Sequence, residues 1–139
     1  MRASGRAGRA GTFGRFGLAL LVLAFTLGAC GSASALGLDA APASLDPNSP
    51  KVSARDLAFD KSDIEVPAGT PFVLVFENLE GASHNVSIYT DVSANSRLFE
   101  GKVFDGPATR WYPVPTLAAG VYFFKCDVHP TMNGRIHAA

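Results

Sequence analysis

The feature that most constrains this chain is a short run near its C-terminal end. In this run a thiol, an imidazole and a thioether follow one another at three-residue spacing, as Cys126, His129 and Met132. A loop this short can turn all three side chains toward one point without the help of a helix. These three side chains can bind a metal ion, and a site with four ligands needs one more. The chain must therefore fold so that a distant segment brings the fourth ligand to this loop.

The mixture of donors selects the metal. Zinc binds Cys and His but does not use a thioether, and hard cations prefer oxygen ligands. Copper has to be held in two oxidation states. Thiolate and thioether suit Cu(I), imidazole suits Cu(II), and two His with one Cys and a long axial Met form the blue-copper arrangement. The loop therefore predicts one copper ion, with Met132 as its axial ligand.

The fourth ligand must come from the two remaining His residues, because the chain has three His in all. His84 lies where a turn leads into an alternating apolar run, and it precedes Cys126 by 42 residues, enough for the intervening strands of a Greek key. His137 lies two residues from the C-terminus with no metal-binding residue near it, which is typical of a surface side chain. We therefore predict His84 as the fourth ligand, the alternative being a hydrogen-bonded core imidazole.

A second alternative concerns Cys126, which could be a buried structural thiol. The N-terminal sequence described below predicts export and lipidation of the other cysteine, Cys30. Cys126 would then be a lone thiol in an oxidising compartment, which calls for an explanation. A purely structural role would leave the spacing to His129 and Met132, and the upstream His84, as coincidences.

The two candidate ligand segments resemble those of the cupredoxins, the small blue copper proteins. The likeness is carried by His84-Asn85 and by the run from Tyr122 that leads into Cys-x-x-His-Pro-x-Met, and it covers about residues 51–139. The loop length is similar to that of the amicyanin-like branch. The resemblance implies that Asn85 hydrogen-bonds across to the Cys-bearing loop and orients the ligands. It also implies a carrier of single electrons that cycles between Cu(II) and Cu(I), and not an enzyme.

One residue departs from the plastocyanin pattern. Lys125 stands where plastocyanins place an exposed aromatic residue next to the Cys. The resemblance therefore does not support an electron route through that position.

The candidate globular part, residues 51–139, shows short apolar or alternating runs between turn residues. Seven to eight strands at intervals of about ten residues predict an all-β antiparallel sandwich or barrel. The resemblance implies that this is a Greek-key fold of the cupredoxin-like kind. Trp111 to Pro115 contains two prolines, which restrict it to an edge strand or a loop. Ser96 to Phe99 is interpreted as one helical turn, and Gly134 as a turn residue with positive φ.

The N-terminal part predicts export. Four Arg residues precede the fourteen-residue apolar run from Phe16 to Ala29, a pattern typical of a signal peptide over residues 1–29. The run ends at Cys30 in a sequence that resembles the lipobox of bacterial lipoproteins, so residues 30–50 are interpreted as a lipidated Cys and a flexible linker. We expect lipid anchoring to the outer face of the cytoplasmic membrane or a periplasmic location. The alternative is an ordinary signal peptide cut near Ala29 or Ala33.

Charge and composition exclude several classes of function for this chain. Without the leader the chain has eight basic and twelve acidic side chains, a net charge of −4, which argues against nucleic acid as a partner. Three His are too few for a multicopper enzyme. We expect a monomer whose partners are redox proteins of the respiratory or dehydrogenase type. The alternative function is copper delivery or storage, which Met-rich or His-rich tracts would favour and this sequence does not contain.

Overall fold

The computed structural model describes residues 37–139, and within this range the chain forms eleven β-strands and no helix. In chain order the strands are β1 Lys51–Arg55, β2 Ala58–Phe59, β3 Asp63–Val66, β4 Phe72–Asn78, β5 Ser83–His84, β6 Ser87–Tyr89, β7 Arg97–Glu100, β8 Phe104–Asp105, β9 Ala108–Val114, β10 Gly120–Lys125 and β11 Asn133–Ala138. The predicted all-β class is confirmed. The count exceeds the predicted seven to eight partly because β2, β5 and β8 have two residues each, too few to form a recognisable pattern.

The strands form two main sheets and one short ladder. The first sheet has the order β2-β1-β4-β9, the second has the order β3-β11-β10-β6-β7, and β5 pairs with β8. The pairs β1–β4 and β3–β11 are parallel, and the other pairs are antiparallel. The sheets are therefore mixed and not purely antiparallel as predicted, because two of the crossovers between them return a strand in the direction of its neighbour.

The hydrophobic core lies between the two main sheets. Alternate residues of β4, including Leu74 and Phe76, point inward from the first sheet, and Phe124 of β10 points inward from the second. Phe59 connects the two layers, with its ring centroid 6.1 Å from that of Phe76 and 5.2 Å from that of Phe124. Burying each such ring contributes roughly 1.5–3 kcal/mol, so these contacts fix the spacing of the sheets.

The strand β9 lies at the edge of the first sheet, as its two prolines predict. On its outer side Leu38 forms an isolated bridge with Trp111, its N–H donating to the Trp111 carbonyl at 3.0 Å. Asp39 forms an ion pair with Arg110 at 2.9 Å. The part of the predicted linker that the structure describes thus contacts β9, whereas the predicted signal peptide and Cys30 lie outside the described residues.

Across residues 37–139 the structure has no helix with the length and apolar character needed to cross a membrane.

Two local interpretations are wrong. The segment interpreted as a helical turn is β7, in which Phe99 lies opposite Ile88 of β6 and is buried. Gly134 lies inside β11 and is not among the residues with positive φ. A glycine is needed here because the Ser62 backbone and the Phe124 ring lie too close for a larger residue. A Cβ at this position would lie 2.5 Å from the Ser62 carbonyl oxygen and 2.6 Å from the Phe124 ring.

Replacing Gly134 therefore tests how tightly β11 packs on the core. We expect Gly134→Ala to destabilise the domain by about 1–3 kcal/mol, because the added methyl overlaps backbone and a core ring. Gly81→Ala is the matched control, since a Cβ there meets no atom within 4 Å. Denaturant unfolding of the two variants measures the difference. Equal midpoints for both variants would contradict the packing described here.

Candidate metal centre

His84 reaches the site from the short β5–β8 ladder. Its backbone pairs with Phe104 across this ladder, and its side chain is fully buried. The ring is held from behind, because Nε2 lies 2.7 Å from Oε1 of Glu80. This contact leaves Nδ1 to face the interior of the site.

The other three candidate ligands come from the loop between β10 and β11. The alternation of β10 carries Phe124 inward and then Cys126, which is also fully buried. Two backbone hydrogen bonds close the loop: the Cys126 N–H donates to the Met132 carbonyl, and the Met132 N–H donates to the His129 carbonyl, both at 2.9 Å. The loop is therefore a compact turn whose ends are joined beside the core.

Three of the four predicted ligands converge on one point. Sγ of Cys126 lies 3.7 Å from Nδ1 of His84 and 3.9 Å from Nδ1 of His129, and the two nitrogens are 3.2 Å apart. A metal with nitrogen ligands at about 2.0 Å and a thiolate at about 2.3 Å in one plane separates those atoms by roughly 3.5–3.8 Å. The spacing and the donor set therefore fit a copper ion bound by two imidazoles and a thiolate.

The remaining histidine and methionine have distinct positions. Met132 is buried in the core at the far end of the loop, next in space to the backbone of Cys126. His137 lies on β11 with Nε2 2.9 Å from Oδ1 of Asp63, and it is not part of the cluster.

Asn85 joins the His84 segment to the ligand loop. It is fully buried, its side-chain oxygen accepts the Asp127 N–H at 2.8 Å, and its amide nitrogen donates to Oδ2 of Asp127 and to the Gly101 carbonyl, each at 2.9 Å. The bond to the Cys-bearing loop is the one that the resemblance implies for this residue.

Sequence reasoning missed the role of Asp127. Besides the bond from Asn85, its carboxylate accepts hydrogen bonds from Ser87 at 2.5 Å, Tyr89 at 2.6 Å and Lys125 at 3.0 Å. Burial raises the pKa of Asp127, but these hydrogen bonds outweigh it and lower the pKa to about 2. The residue is therefore an anion at neutral pH, directly after the candidate thiolate ligand.

Sequence reasoning also missed Glu80. Its carboxylate accepts the backbone N–H groups of Asp56 at 2.9 Å and Leu57 at 3.0 Å, in addition to facing His84. The hydrogen bonds from Leu57 and His84 lower the pKa of Glu80. Asp56 and Leu57 have φ values of 53° and 57°, a left-handed conformation that costs about 1–3 kcal/mol per residue. This turn directs two amides at the Glu80 carboxylate. A carboxylate paired with the outer nitrogen of an imidazole is common at metal-binding histidines.

Only His129 among the clustered ligands reaches the surface. His84 and Cys126 are buried, whereas His129 is partly exposed, and its neighbour Val128 is 45% exposed. Leu57, which borders Glu80, is 51% exposed. His129 therefore connects the buried cluster to the surface, next in the chain to the exposed apolar side chain of Val128.

Comparison with known proteins identifies the family and the fold. The sequence matches a family model described as a cupredoxin-like domain over residues 17–138. A search of curated protein sequences found no match. Among solved structures, the chain is similar to reduced auracyanin from the photosynthetic bacterium Roseiflexus castenholzii, with 20% identity over 64% of this chain and 94% of that chain and a TM-score of 0.57.

Two further solved structures have the same fold. Auracyanin A from Chloroflexus aurantiacus, described as a "blue" copper protein, has 20% identity over 64% of this chain and 96% of that chain, with a TM-score of 0.56. Amicyanin from Paracoccus versutus has 18% identity over 68% of this chain and 85% of that chain, with a TM-score of 0.53. The predicted cupredoxin-like fold is confirmed.

The contact between Glu80 and His84 generates a prediction about metal affinity. Glu80→Gln removes the charge that orients the His84 imidazole and makes it a stronger metal ligand. We therefore expect copper affinity to fall about tenfold to hundredfold. Glu77→Gln is the matched control, because Glu77 is a partly exposed carboxylate that pairs with Lys51 at 2.6 Å. Competition with a chelator of known affinity measures both variants. An affinity loss in Glu77→Gln equal to that in Glu80→Gln would show that the contact is irrelevant.

Proposed function

The chain belongs to the cupredoxin-like domain family, and on that premise we propose that it binds one copper ion and carries single electrons between redox proteins. The observation that carries the proposal is the cluster of His84, Cys126 and His129, whose ligand atoms lie within 4.8 Å of one another. Met132 is proposed as the axial ligand, since it closes the same loop.

The arrangement suits one-electron transfer because contacts within the protein hold the candidate ligands in place. Copper supplies the Cu(II)/Cu(I) couple when it is bound. The chain contributes two buried ligands that exclude water, a carboxylate behind His84 and a hydrogen-bonded loop that resists rearrangement. Auracyanin A, of the same fold, is described as a "blue" copper protein, which supports the assignment.

We further propose that electrons leave through His129. Its imidazole connects the buried cluster to the surface, and the neighbouring Val128, Pro130 and Thr131 carry no charge. Such a collar excludes water around the ring without creating a large interface, which suits a partner that must dissociate quickly.

Location and partners are proposed from the sequence. The basic leader, the apolar run and Cys30 support an exported lipoprotein, monomeric and held at the outer face of the cytoplasmic membrane or in the periplasm. Its partners are proposed to be redox proteins of the respiratory or dehydrogenase type.

The copper assignment predicts an intense blue colour through thiolate-to-Cu(II) charge transfer. Cys126→Ser should abolish this absorption, because it removes the thiolate from the cluster. His137→Ala is the matched control and should stay blue, since His137 pairs with Asp63 outside the cluster. The measurement is the visible absorption spectrum of each copper-loaded protein. A colourless wild type, or an unchanged spectrum in Cys126→Ser, contradicts the assignment.

The route through His129 predicts that a charge on the collar slows transfer but leaves the colour unchanged. Val128→Lys should reduce electron self-exchange between two copies of the protein about tenfold or more, because each contact then buries an unpaired charge. Val92→Lys introduces the same charge at a side chain that is 73% exposed on the β6–β7 connection, and it should exchange at the wild-type rate. Equal rates in the two variants would place the route elsewhere.

The anchor proposal predicts that Cys30→Ala releases the protein from the membrane fraction or blocks its processing. Each buried methylene of an attached lipid contributes roughly 0.8 kcal/mol, so two or more chains give stable attachment. Fractionation and N-terminal analysis of the mature protein provide the measurement. A soluble wild-type protein whose N-terminus is not Cys30 would refute the anchor.

A further inference from the structure

The side chain of Asp127 is unusual for an acidic residue on a loop. It is 23% exposed, and four side chains donate to its two oxygens. Asn85 and Ser87 bind Oδ2, whereas Tyr89 and Lys125 bind Oδ1. Charged side chains are seldom this enclosed unless they are paired. The enclosure therefore points to a function for this carboxylate.

The donors and the acceptor belong to different parts of the fold. Ser87 and Tyr89 lie on β6, and Lys125 ends β10 directly opposite Ser87. The Lys125 ammonium also lies over the Tyr89 ring, 5.2 Å from its centroid. Asp127 lies on the ligand loop, so the network joins that loop to the sheet beside it.

We propose that Asp127 is the positioning residue of the ligand loop: its carboxylate fastens the loop to β6 and places a fixed negative charge, balanced by Lys125, beside Cys126. The inference deepens the proposed function, and only its redox part rests on that function. Its mechanical part concerns the chain without metal.

The chemistry of the donors favours a carboxylate at this position. An ionised Asp is an acceptor at both oxygens, whereas an Asn offers one acceptor and one donor group. In Asp127→Asn the new amide nitrogen would face either the Asn85 amide nitrogen or the Lys125 ammonium, and neither of these groups can accept a hydrogen bond. The substitution therefore removes more than a charge, because it breaks the match between donors and acceptors.

The charge has a separate consequence. A negative charge beside the thiolate stabilises the higher charge of the oxidised site, and the Lys125 ammonium acts in the opposite direction. Removing the carboxylate should raise the reduction potential, and removing the ammonium should lower it. A general loosening of the loop would not give opposite signs.

The mechanical part is tested on the metal-free full-length protein by backbone hydrogen exchange. We expect the Cys126, Asp127 and Met132 amides to exchange about fivefold faster in Tyr89→Phe, which loses one hydrogen bond, and faster still in Asp127→Asn. Amides of β4 should keep their rates. Asp91→Asn is the matched control, because Asp91 accepts hydrogen bonds from Thr90 and Ser93 outside the loop. Wild-type loop rates in Tyr89→Phe overturn the positioning role, even if Asp127→Asn does not fold.

The redox part is tested by the reduction potentials of copper-loaded Asp127→Asn and Lys125→Met, again with Asp91→Asn as control. Opposite shifts in the two variants, upward and downward respectively, support the charge effect. Shifts in the same direction, or none, overturn it. A wild type that binds no copper refutes the proposed function instead, and the exchange data on metal-free protein still decide the positioning role.

Discussion

The candidate metal centre depends on hydrogen bonds between Asn85 and Asp127, residues 42 positions apart in the chain. They fasten the segment that carries His84 to the loop that carries Cys126 and His129. Together with the Glu80 contact and the closed loop, this connection holds the two imidazole nitrogens 3.2 Å apart. Both residues are largely removed from water, where such bonds are strong and an unmade one is costly.

The packing of the two main sheets places Asn85 and Asp127 within hydrogen-bonding distance. Phe59, Phe76 and Phe124 fill the space between the sheets, and the alternation of β10 places Cys126 directly after the last of these rings. The site itself concentrates polar groups that burial disfavours. Glu80 is satisfied by the amides of a left-handed turn, and Asp127 by neighbouring side chains. The fold thus stabilises two anions next to candidate ligands, Glu80 at the His84 ring and Asp127 directly after Cys126.

The sequence predicted the parts of this site that are local. The three-residue spacing of Cys126, His129 and Met132 follows from one short loop, and the turn before β6 made His84 the better of two candidates. Glu80 and Asp127 could not be found in this way, because their roles depend on contacts across strands. The helical interpretation of residues 96–99 failed for the same reason, since pairing with β6 outweighs the local propensity.

The proposed function requires that the fold hold one copper ion in a ligand set that changes little when an electron is gained. X-ray absorption at the copper edge, recorded on the oxidised and the reduced protein, tests it most directly. Two nitrogen ligands and one short sulfur ligand are expected in both states, with only small changes in distance. Loss of an imidazole or of the short sulfur ligand on reduction, or a site made only of nitrogen and oxygen, would contradict it.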